Sequence, residues 1–111
     1  MGGILRGDIV WADLDPVIGH EQSGRRPALI LSDSLFNKKS RTVIAVALTT
    51  QPQKVDFPFA IKLNQEIGKK LVWVKVSHIR TLSTLRLGKK IDHLNERELE
   101  RVIEALNEIV G

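Results

Sequence analysis

Residues 42–51, TVIAVALTTQ, decide how this chain is built. Positions 43–48 are apolar without a break, rich in β-branched residues, and lack the polar alternation of a half-exposed strand. This is the pattern of a strand covered on both faces. Working outward, residues 28–31 form a second run of the same kind, so both are expected to be central. Between them SDSLFNKKSR (32–41) is polar and rich in turn formers and reads as a connection crossing solvent. Upstream, DIVWADL (8–14) sets Ile9 and Trp11 on one face and Val10, Ala12 and Leu14 on the other, which predicts a strand. Pro16 and Gly19 then open a long loop. Downstream, Phe57, Phe59, Ile61 and Leu63 alternate with polar or small residues, and Pro58, which cannot donate to a ladder, predicts an edge strand. IGKK (67–70) reverses the chain into residues 71–76, making a hairpin. HIRTL from 78 and KKIDHL from 89 each read as a short strand, with STLRLG between them as a turn or brief helix.

The last segment is helical by its spacing. Leu99, Val102, Ile103, Leu106, Ile109 and Val110 recur at three- and four-residue intervals along one face. Asn95 is the expected N-cap, Glu98 stands at the third helical position of a capping box, and Leu94 is placed to staple onto Leu99. Five to seven short strands followed by one amphipathic helix, within 111 residues, predict a mainly β fold. The expected form is one domain over 1–111, a small antiparallel barrel with the helix packed against it.

Composition narrows the class. An apolar fraction of 42% and a charged fraction of 27% are those of a folded globular chain. There is no cysteine, hence no disulfide framework and no thiolate metal site. The N-terminal MGGILRGDIV lacks the apolar core of a secretory signal, and no apolar run approaches the roughly 20 residues of a membrane helix. The cytoplasm is expected, with no membrane association. The net charge of +4 divides unevenly: residues 92–111 carry −4, and residues 1–91 carry +8. A basic body is the electrostatic footprint of a polyanionic partner, although scattered lysines that only solubilise the chain would produce the same count.

The motif survey removes several enzyme classes. There is no Gly-x-Ser-x-Gly elbow, no phosphate-binding Gly-Lys-Ser/Thr loop and no dinucleotide glycine fingerprint. His20, His78 and His93 lack the spacing that lets two side chains grip a metal, so no metal site is expected; His93, just before the capped helix, reads as structural. HEQSGRRPALIL (20–31) stands out, with Arg25 and Arg26 between a flexible Ser23-Gly24 pair and Pro27. A guanidinium is a planar fork of donors that matches phosphate oxygens two at a time. The plain alternative is a surface pair held by weak contacts with Glu21 or Asp33. The second candidate is Thr49, Thr50 and Gln51, polar groups at the end of an apolar strand, which also serve commonly as turn formers.

Three stretches together resemble the MazF/PemK toxins of bacterial toxin–antitoxin modules. They are RGDIVWADLDPVIGHEQSGRRPALILSD (6–33), TVIAVALTTQ (42–51) and IRTLSTLRLGKKIDHL (79–94). The resemblance implies an SH3-like barrel with a C-terminal helix. It also implies a homodimeric, metal-independent, sequence-selective endoribonuclease without cofactors. Members cut single-stranded mRNA by attack of a ribose 2′-OH on the adjacent phosphate, leaving a cyclic phosphate and a 5′-OH, and a cognate acidic antitoxin neutralises them. The family's catalytic arginine precedes the loop proline, here Arg26, and its catalytic threonine ends the apolar strand, here Thr49. Because a guanidinium holds its proton firmly, it is an awkward base for the 2′-OH. Glu21 and His20 are kept as contributors, beside Gln22 of the same Gly-x-Glu-Gln motif. Arg25 is expected on flanking phosphate, Asn37 and the basic NKKSR stretch along the RNA groove, and Arg80 at the dimer or groove. His78 departs from the Gln or Glu that many relatives carry there.

Two other classes compete. A toxin of the same fold that poisons DNA gyrase would need no phosphate-directed arginine. A plain RNA-binding barrel would need an exposed aromatic platform. With two Trp, three Phe and no Tyr, expected mostly at alternating core positions, that platform is hard to build.

Overall fold

In the computed structural model, which describes residues 3–14 and 25–111, the apolar run of the third strand sits at the middle of the sheet. The chain runs β1 (Asp8–Asp13), β2 (Arg25–Ile30), α1 (Ser34–Ser40), β3 (Thr42–Thr49), β4 (Ile61–Lys62) and β5 (Trp73–Val74). A 3₁₀ turn (Val76–His78), β6 (Arg80–Ser83), a second 3₁₀ turn (Thr84–Arg86), β7 (Leu87–His93) and α2 (Glu96–Val110) follow. All pairings are antiparallel, in the order β4-β5-β3-β2-β1-β7, with β6 on β3. Strand β3 gives one edge to β2 and divides the other between β6, which pairs residues 42–45, and β5, which pairs 48 and 49. The expected barrel does not close. β6 passes into β7 through the second 3₁₀ turn, where Ser83 caps Leu85 N–H and Leu87 N–H returns to Thr84 O, and no ladder joins the two strands among the described residues.

Both faces of the sheet are covered, which is why β3 lacks polar alternation. Val10, Ala12, Leu14, Ala28, Ile30, Val43, Ala45 and Leu82 form one buried cluster. Ile9, Leu29, Val46 and Leu48 point the other way into a second cluster, with Ile61, Leu63, Val72 and Val74 of the hairpin and Val102 and Ala105 of α2. Each such side chain removed from water contributes about 1.5–3 kcal/mol. At the N-terminus of α2 the Asn95 side chain accepts from Glu98 N–H at 2.9 Å, as the sequence predicts, and Leu94 is buried against the same cluster as Leu99. The hairpin turn at Gly68 and Lys69 has φ of 59° and 66°, the left-handed pair of a tight two-residue reversal, closed by Ile67 and Lys70 hydrogen bonds of 2.9 and 3.1 Å.

Three further expectations change. Residues 32–41 are the expected, mostly exposed connection, but it is helical: it contains α1, capped by Asp33 through Leu35 N–H and ended by Arg41 with φ 58°. The edge strand expected from 57 shrinks to Ile61–Lys62, because Phe59 N–H and Ala60 N–H both turn back to Asp56 O. The aromatics are not in the core. Trp11, Phe36, Phe57 and Phe59 are exposed and Trp73 is half-buried, the cores being filled by aliphatic residues.

The Arg-Gly-Asp step at 6–8 is accounted for by the fold. Arg6 Nε donates to Leu31 O at 2.8 Å. Gly7, at φ 96°, exchanges backbone hydrogen bonds with Ile30 and Leu94, and a Cβ there would meet His93 Cε1 at 3.0 Å. Asp8, buried, accepts from Leu5 N–H at 3.0 Å and His93 Nδ1–H at 2.7 Å and pairs with Lys90 at 3.1 Å. Thus His93 ties the end of β7 to the start of β1.

Among the described residues Asp8 and Glu98 are the two buried acids, and the titration of both is tied to folding. Burial pushes both carboxyls up, but their hydrogen bonds and cationic neighbours outweigh it and hold them below their ordinary values of 3.8 and 4.5. A carboxyl whose value is depressed on folding adds stability above the unfolded value and loses it as pH falls through the folded one. Stability is therefore expected to hold above about pH 5 and to decline steadily below it. Asp8→Asn should flatten that acid limb. Urea midpoints at about pH 7 and about pH 3 check this; a variant that loses as much stability between them as the native chain would show that Asp8 is not the cause.

Candidate active site

Strand register brings the two leading candidates together. β2 and β3 pair Ala28 with Ala47 and Leu29 with Val46. Continuing that register by two residues sets Arg26 opposite Thr49. Side chains opposed across an antiparallel pair share a face and stand about 5 Å apart at Cβ. Consistent with this, Arg26 and Thr49 line one cleft of about 380 Å³, together with Pro27, Leu48, Thr50, Gln51, Val72 and Lys75. The row continues outward, Thr49 opposite Trp73 and Trp73 opposite Lys62, whose Nζ lies 5.7 Å from the indole centroid.

The two candidate groups are fixed differently. Arg26 is exposed on a strand whose backbone is paired with β1 at Ala12, so the guanidinium is held at its root and free to reach. Thr49 is half-buried, and its Oγ1 accepts Gln51 N–H at 3.1 Å. With its oxygen anchored, the hydroxyl proton is left to donate outward.

Arg25 lies elsewhere. Alternation along β2 turns it to the opposite face from Arg26, and its guanidinium occupies the space over Gly88 of β7, where an added Cβ would collide with Nη2. Thr50 and Gln51 line the cleft beside Thr49 and are exposed. His78 and Arg80 are exposed, on the first 3₁₀ turn and on β6, and are not among the residues lining the cleft. Asn37 does not line the Arg26–Thr49 cleft; it borders a separate depression with Ile4, Ser34 and Arg41. It is 3% exposed, donates to Ile4 O and Ser32 O at 2.9 and 3.1 Å, and accepts from Ser32 Oγ, so its polar atoms are used inside the fold. His20, Glu21 and Gln22 lie outside the described residues.

Lys75 is the cleft residue that pattern reading misses. It follows the buried Val72 and Val74 on what reads as the outer face of a strand, although the chain has already left β5 there (φ −88°, ψ 83°). A lysine closing an otherwise apolar stripe is the available signal. Among the described residues no cluster of three His, Cys, Asp or Glu could hold a metal ion, and no helix is long and apolar enough to cross a membrane.

The mainly antiparallel sheet with a C-terminal helix that carries this cleft has counterparts. A model of the PemK-like, MazF-like toxins of type II toxin–antitoxin systems matches residues 5–110. The chain belongs to this family. Endoribonuclease EndoA of Bacillus subtilis is 37% identical over 105 residues, covering 93% of this chain and 90% of the relative. Endoribonuclease MazF of Staphylococcus saprophyticus is 35% identical over 109 residues, covering 96% and 90%. Among solved structures, a MazE–MazF complex from Deinococcus radiodurans matches with a TM-score of 0.83 at 29% identity, covering 100% of this chain and 98% of that one. MazF from the same organism gives 0.81, also at 29%, covering 100% and 99%. The PemK/MazF fold, an antiparallel sheet backed by one terminal helix, is therefore the fold of this protein.

Proposed function

We propose that this PemK/MazF protein is a toxin that cleaves single-stranded mRNA without a metal ion, through Arg26 and Thr49. The observation that carries the reading is that these two groups, far apart in sequence, line one nucleotide-sized cleft. The names of the relatives at 37% and 35% identity favour RNA cleavage over gyrase poisoning.

In the proposed reaction the 2′-oxygen of one ribose forms a bond to the adjacent phosphorus and the bond from phosphorus to the 5′-oxygen breaks. Products are a 2′,3′-cyclic phosphate and a 5′-OH. Negative charge grows on the nonbridging oxygens of the five-coordinate phosphorus and on the departing oxygen. Arg26 neutralises that charge and hydrogen-bonds toward the leaving oxygen, which takes up a proton from water to become the 5′-OH, while Thr49 Oγ1–H holds a nonbridging oxygen. Donors fixed before the reaction spend nothing on reorganising during it. The proton of the 2′-OH goes to Glu21 or His20, ahead of Arg26 in the sequence. The working form is a cytoplasmic homodimer, neutralised by an acidic antitoxin segment that lies along the basic face; the MazF complex with MazE is the precedent.

Purified protein is expected to cut single-stranded RNA in EDTA and to leave 5′-OH ends. Thr49→Val, which keeps the shape and removes the hydroxyl, should lower kcat by about 10²–10³ with the fold intact. RNA left whole, or cut only when magnesium is restored, would reject the proposal. Sequencing the 5′-OH ends would also give the recognised word.

A further inference from the structure

We infer that Lys75 is a phosphate-binding residue of this cleft, holding the RNA backbone one position away from the scissile phosphate; this rests on the ribonuclease reading above. Three observations lead to it. First, Lys75 lines the same cleft as Arg26 and Thr49 but comes from the far side, since β2 carries Arg26, β3 lies between, and the exit of β5 carries Lys75. A phosphodiester chain entering the cleft meets a cation on each wall.

Second, the charge that the described residues bring there is of one sign. The described residues that line the cleft include two cations and no carboxylate. Ion pairs among the described residues join Lys90 and His93 to Asp8 and Arg101 to Glu98, and none involves Lys75. A pair of like charges in one concave site focuses a potential that attracts an anion.

Third, the root of Lys75 is fixed. Its neighbours Val74 and Val76 are fully buried, and its carbonyl accepts His78 N–H at 2.9 Å. Lys75 is half-buried, an exposure at which a lysine can cover apolar surface with its stem while its ammonium reaches water. An ammonium on a flexible stem acts as a point charge that follows a moving phosphate, whereas the planar fork of Arg26 suits the fixed geometry of the reacting one. The two cations thus divide the work, Lys75 on binding and Arg26 on chemistry.

The test uses an RNA carrying the mapped cleavage word with 2′-deoxyribose at the cut position, so that binding is measured without cleavage. Lys75→Met is expected to weaken binding roughly tenfold at low salt, as for a lost charge-assisted contact. It should also reduce the slope of log Kd against log salt by about 0.7, the share of one phosphate on a single strand. On cleavable RNA the loss should appear in KM, with kcat within about threefold. Lys75→Arg, which keeps the charge, should restore both affinity and slope. A Met variant with native KM and native salt slope overturns the assignment while the native enzyme's cleavage stands. A Met variant that loses kcat at unchanged affinity overturns it too, since Lys75 would then serve the chemical step. Native protein that neither binds nor cuts RNA overturns both readings.

Discussion

Arg26→Ala is expected to abolish nearly all RNA cleavage, lowering kcat by about 10³ or more, while the melting temperature stays within a degree or two. The rate argument rests on charge. In the five-coordinate state negative charge gathers on oxygens within reach of one guanidinium, and removing a single preorganised donor from such a site costs about 10²–10³ in rate even when the donor is neutral. A donor that also carries full positive charge should cost more. The stability argument rests on position: Arg26 is exposed, its backbone pairing with Ala12 does not depend on its side chain, and exposed substitutions of this kind stay within about 0.5 kcal/mol. Arg26→Lys should fall between, since charge remains but the two-pronged fork is lost. Arg25 provides the internal contrast. Its guanidinium lies over Gly88 on the other face of the same strand, so Arg25→Ala should reduce cleavage by less than about tenfold, through RNA affinity. Single-turnover rates at saturating RNA, with melting curves of each variant, decide it. Equal losses at 25 and 26 would mean that the strand's alternation does not sort the two arginines and that the cleft is not the site of cleavage.

That sorting shows where sequence stops being informative. Alternation along β2 is a local property, and the residue order alone places Arg25 and Arg26 on opposite faces. Which face meets Thr49 is a matter of register between β2 and β3, and α1 lies in the connection between those strands. No spacing rule supplies that register, so the pairing of arginine with threonine comes from the family resemblance rather than from pattern. Helix α2 is legible because six apolar positions repeat over four turns. Helix α1 is not, because its seven residues are too few for a period and most are polar; the Asp33 cap and the lysines of its last turn are the only cues. Asn37 reads as a surface residue and is buried, because the one polar group that α1 turns inward is matched by Ile4 and Ser32, contacts that a local reading does not foresee. Lys75 escapes notice for the converse reason. A lysine on the outer face of a predicted strand is ordinary, and only the convergence of three strand ends makes it part of a cleft.

Glu98→Ala is expected to lower stability by about 2–3 kcal/mol, a fall in melting temperature of about 10–15 °C for a domain of this size. The sequence predicts Glu98 as the second half of a capping box, reaching back to Asn95 N–H. The structure gives that N–H to Gln65 Oε1 at 2.8 Å and sends the Glu98 carboxylate across to the hairpin. There it accepts from Asn64 N–H and from Gln65 N–H at 3.3 Å, and pairs with Arg101 at 2.8 Å. Glu98 is 2% exposed, so removal of its carboxylate leaves those donors without a partner. Arg101 is partly exposed and recovers some of its loss from water, which keeps the figure below the full cost of a broken buried pair. Glu98→Gln separates the two roles. A glutamine serves a capping box as well as a glutamate does, so a purely capping Glu98 would tolerate it. A charged bridge to the hairpin would not, and about 1 kcal/mol should be lost through Arg101 alone. The consequence reaches the cleft, because the hairpin anchored by Glu98 carries Val72 and leads directly into Lys75. Amide exchange across residues 61–76 should therefore quicken in Glu98→Ala, and KM for RNA should rise with it. Native exchange in the hairpin of that variant would mean that the helix, and not the bridge, holds the cleft wall in place.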